Sequence, residues 1–370
     1  MPPPRPGTPA PRPALSPTSY PAIWDEILHH ADESTYPALR ATCTDLHARI
    51  SSKLYTHVAV RIVKSGTGAT VEPQHPCTRR RVPGLDFNGG AAARALTLAR
   101  LKAHCVVLDE VAHGQYMYPV LDGLRRLDID ALFELGRALG GVTTHRYYGN
   151  TYMPSVFDLP SAARLVAFIE PKANMSVYVP LPVAESEFAN LFQAFPGPAA
   201  RVVVLNFPLN GVAVRADHLS RVDHLSSVFV IVRAGTAPPK AHPPQNTFGV
   251  LSSLLLSVAA LLPRVNFAFL GLEDVSDKWV SNDPLPVRWD ERRHALRSMI
   301  GFAVRRFQVI EADEDFDDWS NRMVAGDDLA NGQMRALLGA ITVDTVASLR
   351  DRGGDELYRR FTVPPEQSTG

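Results

Sequence analysis

From about Ala91 onward, segments with helical spacing alternate with short apolar runs, and this alternation narrows the folds open to the chain more than any other feature. "GGAAARALTLARLKAH" reads as a helix and "CVVLDEV" as the strand after it. "YMYPVLDG" precedes "LRRLDID", and "LFELGRAL" precedes "TTHRYYG". "SAARLVAFIE" and "MSVYVPL" follow, and "SEFANLFQAF" leads to "RVVVLNFPL". "DHLSSVFVIVRA", "FGVLSSLLLSVAALL" with "RVNFAFLGL", and "ERRHALRSMI" with "AVRRFQVIEA" continue the pattern, and "NGQMRALLGAITVDTVASLRDRGGDELYRRF" reads as a last helix. Parallel strands need long crossovers, commonly helical, so helix-then-strand alternation predicts an α/β body with a mostly parallel sheet. Strands are expected in "CVVLD", "RVVVLNF", "VFVIVRA", "RVNFAFL" and "RRFQVI", with starts near Cys105, Leu124, Arg201, Val228, Arg264 and Val304. These starts are unevenly spaced, which leaves two architectures: an irregular leucine-rich-repeat-like stack and an open α/β sheet. The "L…L.L/V.V" runs preceded by helical turns favour the stack.

The chain has 370 residues, more than one ordinary domain needs. With 38 basic and 38 acidic residues its net charge is zero, so bulk charge steers it toward neither nucleic acid nor an anionic membrane. Its three cysteines, Cys43, Cys77 and Cys105, make neither a disulfide framework nor a CxxC pair. The N-terminal "MPPPRPGTPAPRPALSPTS" has no continuous apolar core of the signal-peptide kind. "VLSSLLLSVAALL" is the most hydrophobic run, but Pro263 closes it well short of the roughly 20 residues that span a bilayer. A buried helix is expected there, in a soluble cytoplasmic or nuclear protein.

Residues 1–15 read as a disordered, proline-rich arm, 58–363 as the body and 364–370 as a flexible tail. Between arm and body, residues 16–57 carry a different pattern. Pro21 suits a first helical turn, and Ile23, Trp24, Ile27 and Leu28 recur at helical spacing. "ADEST" makes a turn, with Ser34 a cap for a second helix bearing Tyr36, Leu39 and Cys43; Leu46 and Ile50 continue on a third. Arg40, Asp45, His47 and Arg49 fall between the apolar positions and are expected to be solvated or paired at a rim. The period then changes to two in "LYTHVAVRI", a half-buried strand. "KSGTGATVEPQHPCTRRRVPG" reads as a polar loop, its arginines either solvated or anion-binding.

Chemistry-bearing motifs are scarce. "KSGTGAT" lacks the Gly-Lys-Ser/Thr ending of a phosphate loop, and no GxSxG, HExxH or kinase set occurs. Cys105 opens an apolar strand, where a thiol is inert packing rather than a nucleophile with His104 or His113. "EADEDFDDW" carries six carboxylates out of register for a calcium loop and reads as a solvated segment before a helix. Asp109, Glu110, Asp128 and Asp130 stand at strand ends with no partner base in view. No catalytic residue, cofactor or metal ligand is assigned.

The segment "YPAIWDEILHHADESTYPALRATCTDLHARISSKLY" resembles an F-box, particularly in the forms met in basidiomycete fungal proteins. "P..IW.EIL" followed by "LR.TC..LH" carries the resemblance. Pro21, Ile23, Trp24, Ile27 and Leu28 match its first block; Leu39, Cys43, Leu46 and Ile50 match its second. Tyr20 stands where leucine is usual, His47 where tryptophan is common, and Pro37 where a helix former is frequent. The resemblance implies a non-catalytic, substrate-recognition subunit of an SCF-type cullin ubiquitin ligase. Its helices would bind a Skp1-type adaptor, and through it a cullin, while the carboxy-terminal body would hold a partner protein. Three alternatives stay open: a cap on the body, a non-ligase scaffold, and an enzyme with an unrecognised site.

Overall fold

A strand buried on both faces reads as a nearly unbroken apolar run, and a strand buried on one face alternates. "VVVLNFPL" and "SVFVIVRA" are of the first kind, and both lie inside a sheet. We describe this sheet from a computed structural model. It covers residues 17–31, 35–112, 139–149, 162–169, 200–209, 219–234 and 252–364, apart from positions 18, 66–67, 77–78, 220–221, 263, 276, 278–283 and 314 within those spans. The proline-rich arm, Ser34, Cys77, His113, Asp128, Asp130, the strand expected near Leu124, and the segments "YMYPVLDG", "LRRLDID", "LFELGRAL", "MSVYVPL" and "SEFANLFQAF" lie outside the described residues, as does the tail after Pro364. The chain divides into two units, Met1–Tyr55 and Thr56–Gly370.

The first unit holds the three expected helices: α1 (Pro21–His30), α2 (Tyr36–Arg40) and α3, which begins at Thr44 and runs to Thr56. Pro21 occupies the first turn of α1, where a missing N–H costs no intrahelical bond. The Tyr36 hydroxyl donates to the Leu28 carbonyl at 2.9 Å, satisfying one of the acceptors left open near the end of α1. Arg40 donates to Ser51 Oγ at 3.0 Å and Arg49 to Asp25 at 2.8 Å, so the second and third helices are each tied by a polar bond.

The second unit is built on nine described strands: β1 (His57–Ser65), β2 (Gly68–Gln74), β3 (Val107–Ala112), β4 (Thr144–Gly149), β5 (Arg164–Ile169), β6 (Val202–Leu209), β7 (Ser227–Ala234), β8 (Asn266–Leu270) and β9 (Ile341–Asp344). Their order in the sheet is β2-β1-β3-β4-β5-β6-β7-β8-β9. From β1 and β3 through β9 each strand runs parallel to its predecessor; only β2 is antiparallel. The expected mixed α/β, mostly parallel sheet is therefore present.

Three local expectations are corrected. Gly68–Gln74, read as polar loop, is an edge strand: β1 offers an open row of backbone groups, and pairing needs no apolar side chains. Pro73 is tolerated because an edge strand has a side that needs no ladder donor. "RRFQVI" is no strand but the end of helix α6 (Trp289–Glu311), where Leu296, Ile300 and Val304 recur every fourth residue and are all buried. The last expected helix is interrupted: α8 (Asp328–Ala340) ends at strand β9, and α9 (Ala347–Thr362) follows. Ile341–Asp344 is extended because the edge of β8 is there to pair with it, Phe267 opposite Ile341.

Helix α4 (Ala91–His104) falls where expected, and Val250–Leu262 contains α5 (Ser252–Ala259). Leu254, Leu255 and Val258 of α5 share one core with Val203, Leu205, Val228, Val230, Phe267 and Phe269 of the sheet and with Leu296, Ile300 and Val304 of α6. Among the described residues no helix is long and apolar enough to cross a membrane. The acidic segment leads into α7 (Phe316–Val324), with Asp315 capping it by accepting from the Asp317 and Asp318 amides. Its closing Trp319 is fully buried rather than solvated.

Alternation of side chains gives the sheet a second face. Val111, Tyr148, Val166, Phe168, Val204, Ile231 and Leu270 form a separate core there with Leu349 and Phe361 of α9. The two sheet faces are thus covered by different helices.

Candidate interaction surface and a buried charge network

The nine residues that match the F-box pattern separate by exposure. Leu28, Leu46 and Ile50 are buried, and Trp24 and Leu39 are half-buried. Pro21, Ile23, Ile27 and Cys43 are exposed, Ile23 at 48% and Ile27 at 40%. The division follows helical spacing: Trp24 and Leu28 are one turn apart on one side of α1, and Ile23 and Ile27 are one turn apart on the neighbouring side. Tyr20, 49% exposed, extends this second row backward by three positions. Two isoleucines one turn apart and left in water, with Tyr20 before them and half-buried Trp24 on the neighbouring row, form an exposed apolar stripe. Arg49, expected to be solvated or paired at a rim, is paired with Asp25 of α1.

The second unit contains a group of charges that sequence reading did not assemble. Asp109 and Glu110 are consecutive on β3, so their side chains leave opposite faces of the sheet. Both are fully buried. On one face Asp109 sits opposite Arg146 of β4, with Nη1 3.1 Å from Oδ2, and His57 Nε2 of β1 lies 2.8 Å from Oδ1. On the other face His145 Nε2 lies 3.1 Å from Glu110 Oε2. Each carboxylate thus has a partner from a neighbouring strand. "THRYYG" shows the His-Arg pair as residues, but only the register of β3 against β4 brings it to the acids.

Burial alone pushes the Asp109 carboxyl up, yet the Arg146 guanidinium and His57 outweigh it and hold it below the ordinary carboxylate range. Tyr147, directly across from Glu110, is raised by burial and then by that carboxylate. Burial, with Asp109 adding to it, pushes the Cys105 thiol up to about 12. A thiol held that far toward its neutral form makes a poor nucleophile, which agrees with the packing role read from its strand.

No family model, no curated protein and no solved structure matches the chain. The arrangement of its own residues therefore carries the functional argument. Among the described residues no group of three or more histidine, cysteine, aspartate or glutamate side chains is placed to hold a metal ion. Arg146 also reaches out of the network: it donates to the Val363 carbonyl just past α9, and its guanidinium stands 5.4 Å over the Phe168 ring. The network fastens β1, β3 and β4 to one another and to the end of the last helix.

Proposed function

We propose that the chain is the substrate-recognition subunit of an SCF-type cullin ubiquitin ligase. Its N-terminal helices dock a Skp1-type adaptor, which brings the cullin, and its body holds a partner protein. One observation carries this reading: Ile23 and Ile27 stand exposed one turn apart on α1, beside Pro21 and a half-buried Trp24. Such a stripe has more apolar area than its own unit covers, and interface energy concentrates in anchors of this kind.

In this reading the body is an irregular leucine-rich-repeat-like stack. The support is the order of the described strands, in which β3 lies beside β1 and each strand from β4 to β9 lies beside the one before it without reversal. Stacked repeats touch only their neighbours and yield such an order, whereas a doubly wound sheet reverses direction at a switch point. The mechanism is positional: the subunit makes no bonds itself and raises the effective concentration of its partner near a ligase assembled by other chains. The cytoplasm or nucleus is where it would act.

The test is a calorimetric titration of the full chain with the Skp1-type adaptor from the same organism. Binding is expected, and replacing Ile23 and Ile27 together by alanine is expected to weaken it by about thirtyfold, the equivalent of roughly 2 kcal/mol. The circular dichroism spectrum should stay unchanged. Failure of the native chain to bind would sink the ligase assignment in favour of a non-ligase interaction protein.

A further inference from the structure

The helix on the second face of the sheet is built in two parts. Gly354 breaks α9 with φ 73° and ψ 174°, a backbone conformation that is essentially glycine's alone. Apart from its chain neighbours and the helix's own backbone, no described atom lies within 4 Å of where its Cβ would be, so no described side chain wedges the break. Before it, Leu349 is buried, Arg352 reaches Asp344 of β9 at 2.6 Å, and the Val346 amide donates to Glu273 at 2.9 Å. That half is anchored at the edge of the sheet.

Residues 355–362, "DELYRRFT", are held differently. Phe361 is the one fully buried side chain among them, 5.5 Å from the Phe229 ring, with Leu357 and Tyr358 partly buried against the same core. Two sheet side chains reach the carbonyls at its end: Asn206 Nδ2 donates to Phe361 at 3.1 Å, and Arg146 donates to Val363. A clasp across the break is solvent-exposed, with Arg350 paired to Asp355 at 2.7 Å and stacked over Tyr358. Exposed pairs of this kind contribute little.

Beneath this short segment, Tyr148, Val166, Phe168, Val204 and Ile231 form an apolar floor. The floor has polar capacity that the segment does not use. Asn206 is fully buried, and its Oδ1 has no hydrogen-bond partner among the described residues; Arg146 Nε is likewise unused among them. An apolar groove with buried donors aimed at helix-terminal carbonyls, and a spare acceptor beside them, matches the helix-in-groove mode of recognition.

We propose that the second face of the sheet is a docking groove for an amphipathic helix, and that residues 355–362 occupy it in cis, hinged at Gly354. The partner that displaces them is a helical segment with an aliphatic and an aromatic residue one turn apart, like Leu357 and Phe361, and open carbonyls at its end. This deepens the reading of the body as a partner-binding surface and rests on it. A tethered occupant weakens the apparent affinity of any competitor by the reciprocal of the fraction of molecules in which the groove is open. The latch therefore sets a threshold for partner binding.

The test uses the chain ended at Gly354, the complete chain, and a fluorescent synthetic peptide of residues 355–364. The shortened chain is expected to bind the peptide at least tenfold more tightly than the complete chain does. A peptide with Phe361→Ala is expected to lose at least tenfold. Equal binding by both chains, or no binding by a shortened chain whose sheet amides stay protected, overturns the proposal. Should the shortened chain not fold, hydrogen exchange on full-length Phe361→Ala decides. Exchange at least tenfold faster over 356–362, with 228–232 still protected, supports the latch. Joint loss in both segments, or no change in either, makes α9 an ordinary core element and overturns it. Adaptor titration of the same chains is a separate readout, so failure of the ligase reading would not be mistaken for failure of the groove.

Discussion

Asp109 and Arg146 face each other across neighbouring parallel strands, 3.1 Å apart, with both side chains buried. Removing one partner of a buried pair strands the other, at a cost of about 3–5 kcal/mol. Asp109→Asn is therefore expected to lower stability by an amount in that range. Pairing Asp109→Val with Arg146→Met should recover a good part of it, since no unpaired charge is left. Urea unfolding of Asp109→Val, Arg146→Met and the double variant, beside Asp109→Asn, checks this through the coupling energy.

The same pair sets an acid limit. The folded-state pKa of Asp109 lies below its unfolded value of roughly 3.9. Its contribution is complete above that value and is lost as pH falls through the folded pKa. The stability gap between the native chain and Asp109→Asn should stay level from neutral pH to about pH 5 and close below about pH 4. A gap unchanged down to pH 3 would contradict the charge assignment.

Cys43 is exposed, while Cys105 is buried with its thiol raised to about 12. Iodoacetamide at neutral pH, followed by peptide mapping, is expected to modify Cys43 in the folded chain and spare Cys105. Cys105 should react only after unfolding. Equal labelling of both would contradict the burial of Cys105 at the junction of α4 and β3.

Gly271 and Gly326 both have φ near +85°, but their surroundings differ. A Cβ on Gly271 would stand 2.0 Å from the Val232 carbonyl oxygen, whereas among the described residues nothing beyond its chain neighbours lies within 4 Å of one on Gly326. Gly326→Ala is expected to cost only the left-handed backbone penalty, about 1–2 kcal/mol. Gly271→Ala adds displacement of a neighbouring strand's backbone and should cost more by about 1–3 kcal/mol. Comparing the two urea midpoints tests the close approach of Gly271 to β7.

On α1, Leu28→Ala is expected to cost about 2–5 kcal/mol, because the side chain is fully buried. Ile27→Ala should stay within about 0.5 kcal/mol, because its side chain is already half in water. Hydrogen exchange over Leu46–Leu54 reads both variants. A comparable loss in the two would remove Ile27 from the list of available interface residues.

Where the apolar period was continuous, elements were legible in the sequence: α1, α4, α5 and strands β6, β7 and β8 fall within the segments named for them, and β3 overruns its segment by one residue. "RRFQVI" misled because Phe307, Val309 and Ile310 form a short apolar run, although no breaker separates them from the helical row Leu296–Ile300–Val304. "ITVD" and "GATVEPQ" misled in the opposite sense. Four or seven residues carry too little pattern to announce a strand, and what made them extended was a neighbour's open edge.

The exposed stripe of α1 was legible for a related reason. Helical spacing is local, so Trp24 and Leu28 could be placed on one row and Ile23 and Ile27 on the next before any fold was known. Which row faces water was not in that spacing. It depends on what the rest of the unit covers, and burial put Leu28 inside and left Ile27 outside.

Chain order by itself determined the alternation of helix and strand, the parallel character that long crossovers require, and the helical rows near the N-terminus. These follow from steric and hydrophobic effects that act within about a dozen residues. Tertiary structure alone decided that Asp109 meets Arg146 and His57, that Glu110 meets His145, and that Phe361 closes the second face of the sheet. Those partners lie between 35 and 217 residues apart when the Arg146–Val363 contact is included. Strand register chooses them, and register is set by packing of the whole sheet rather than by any stretch of sequence.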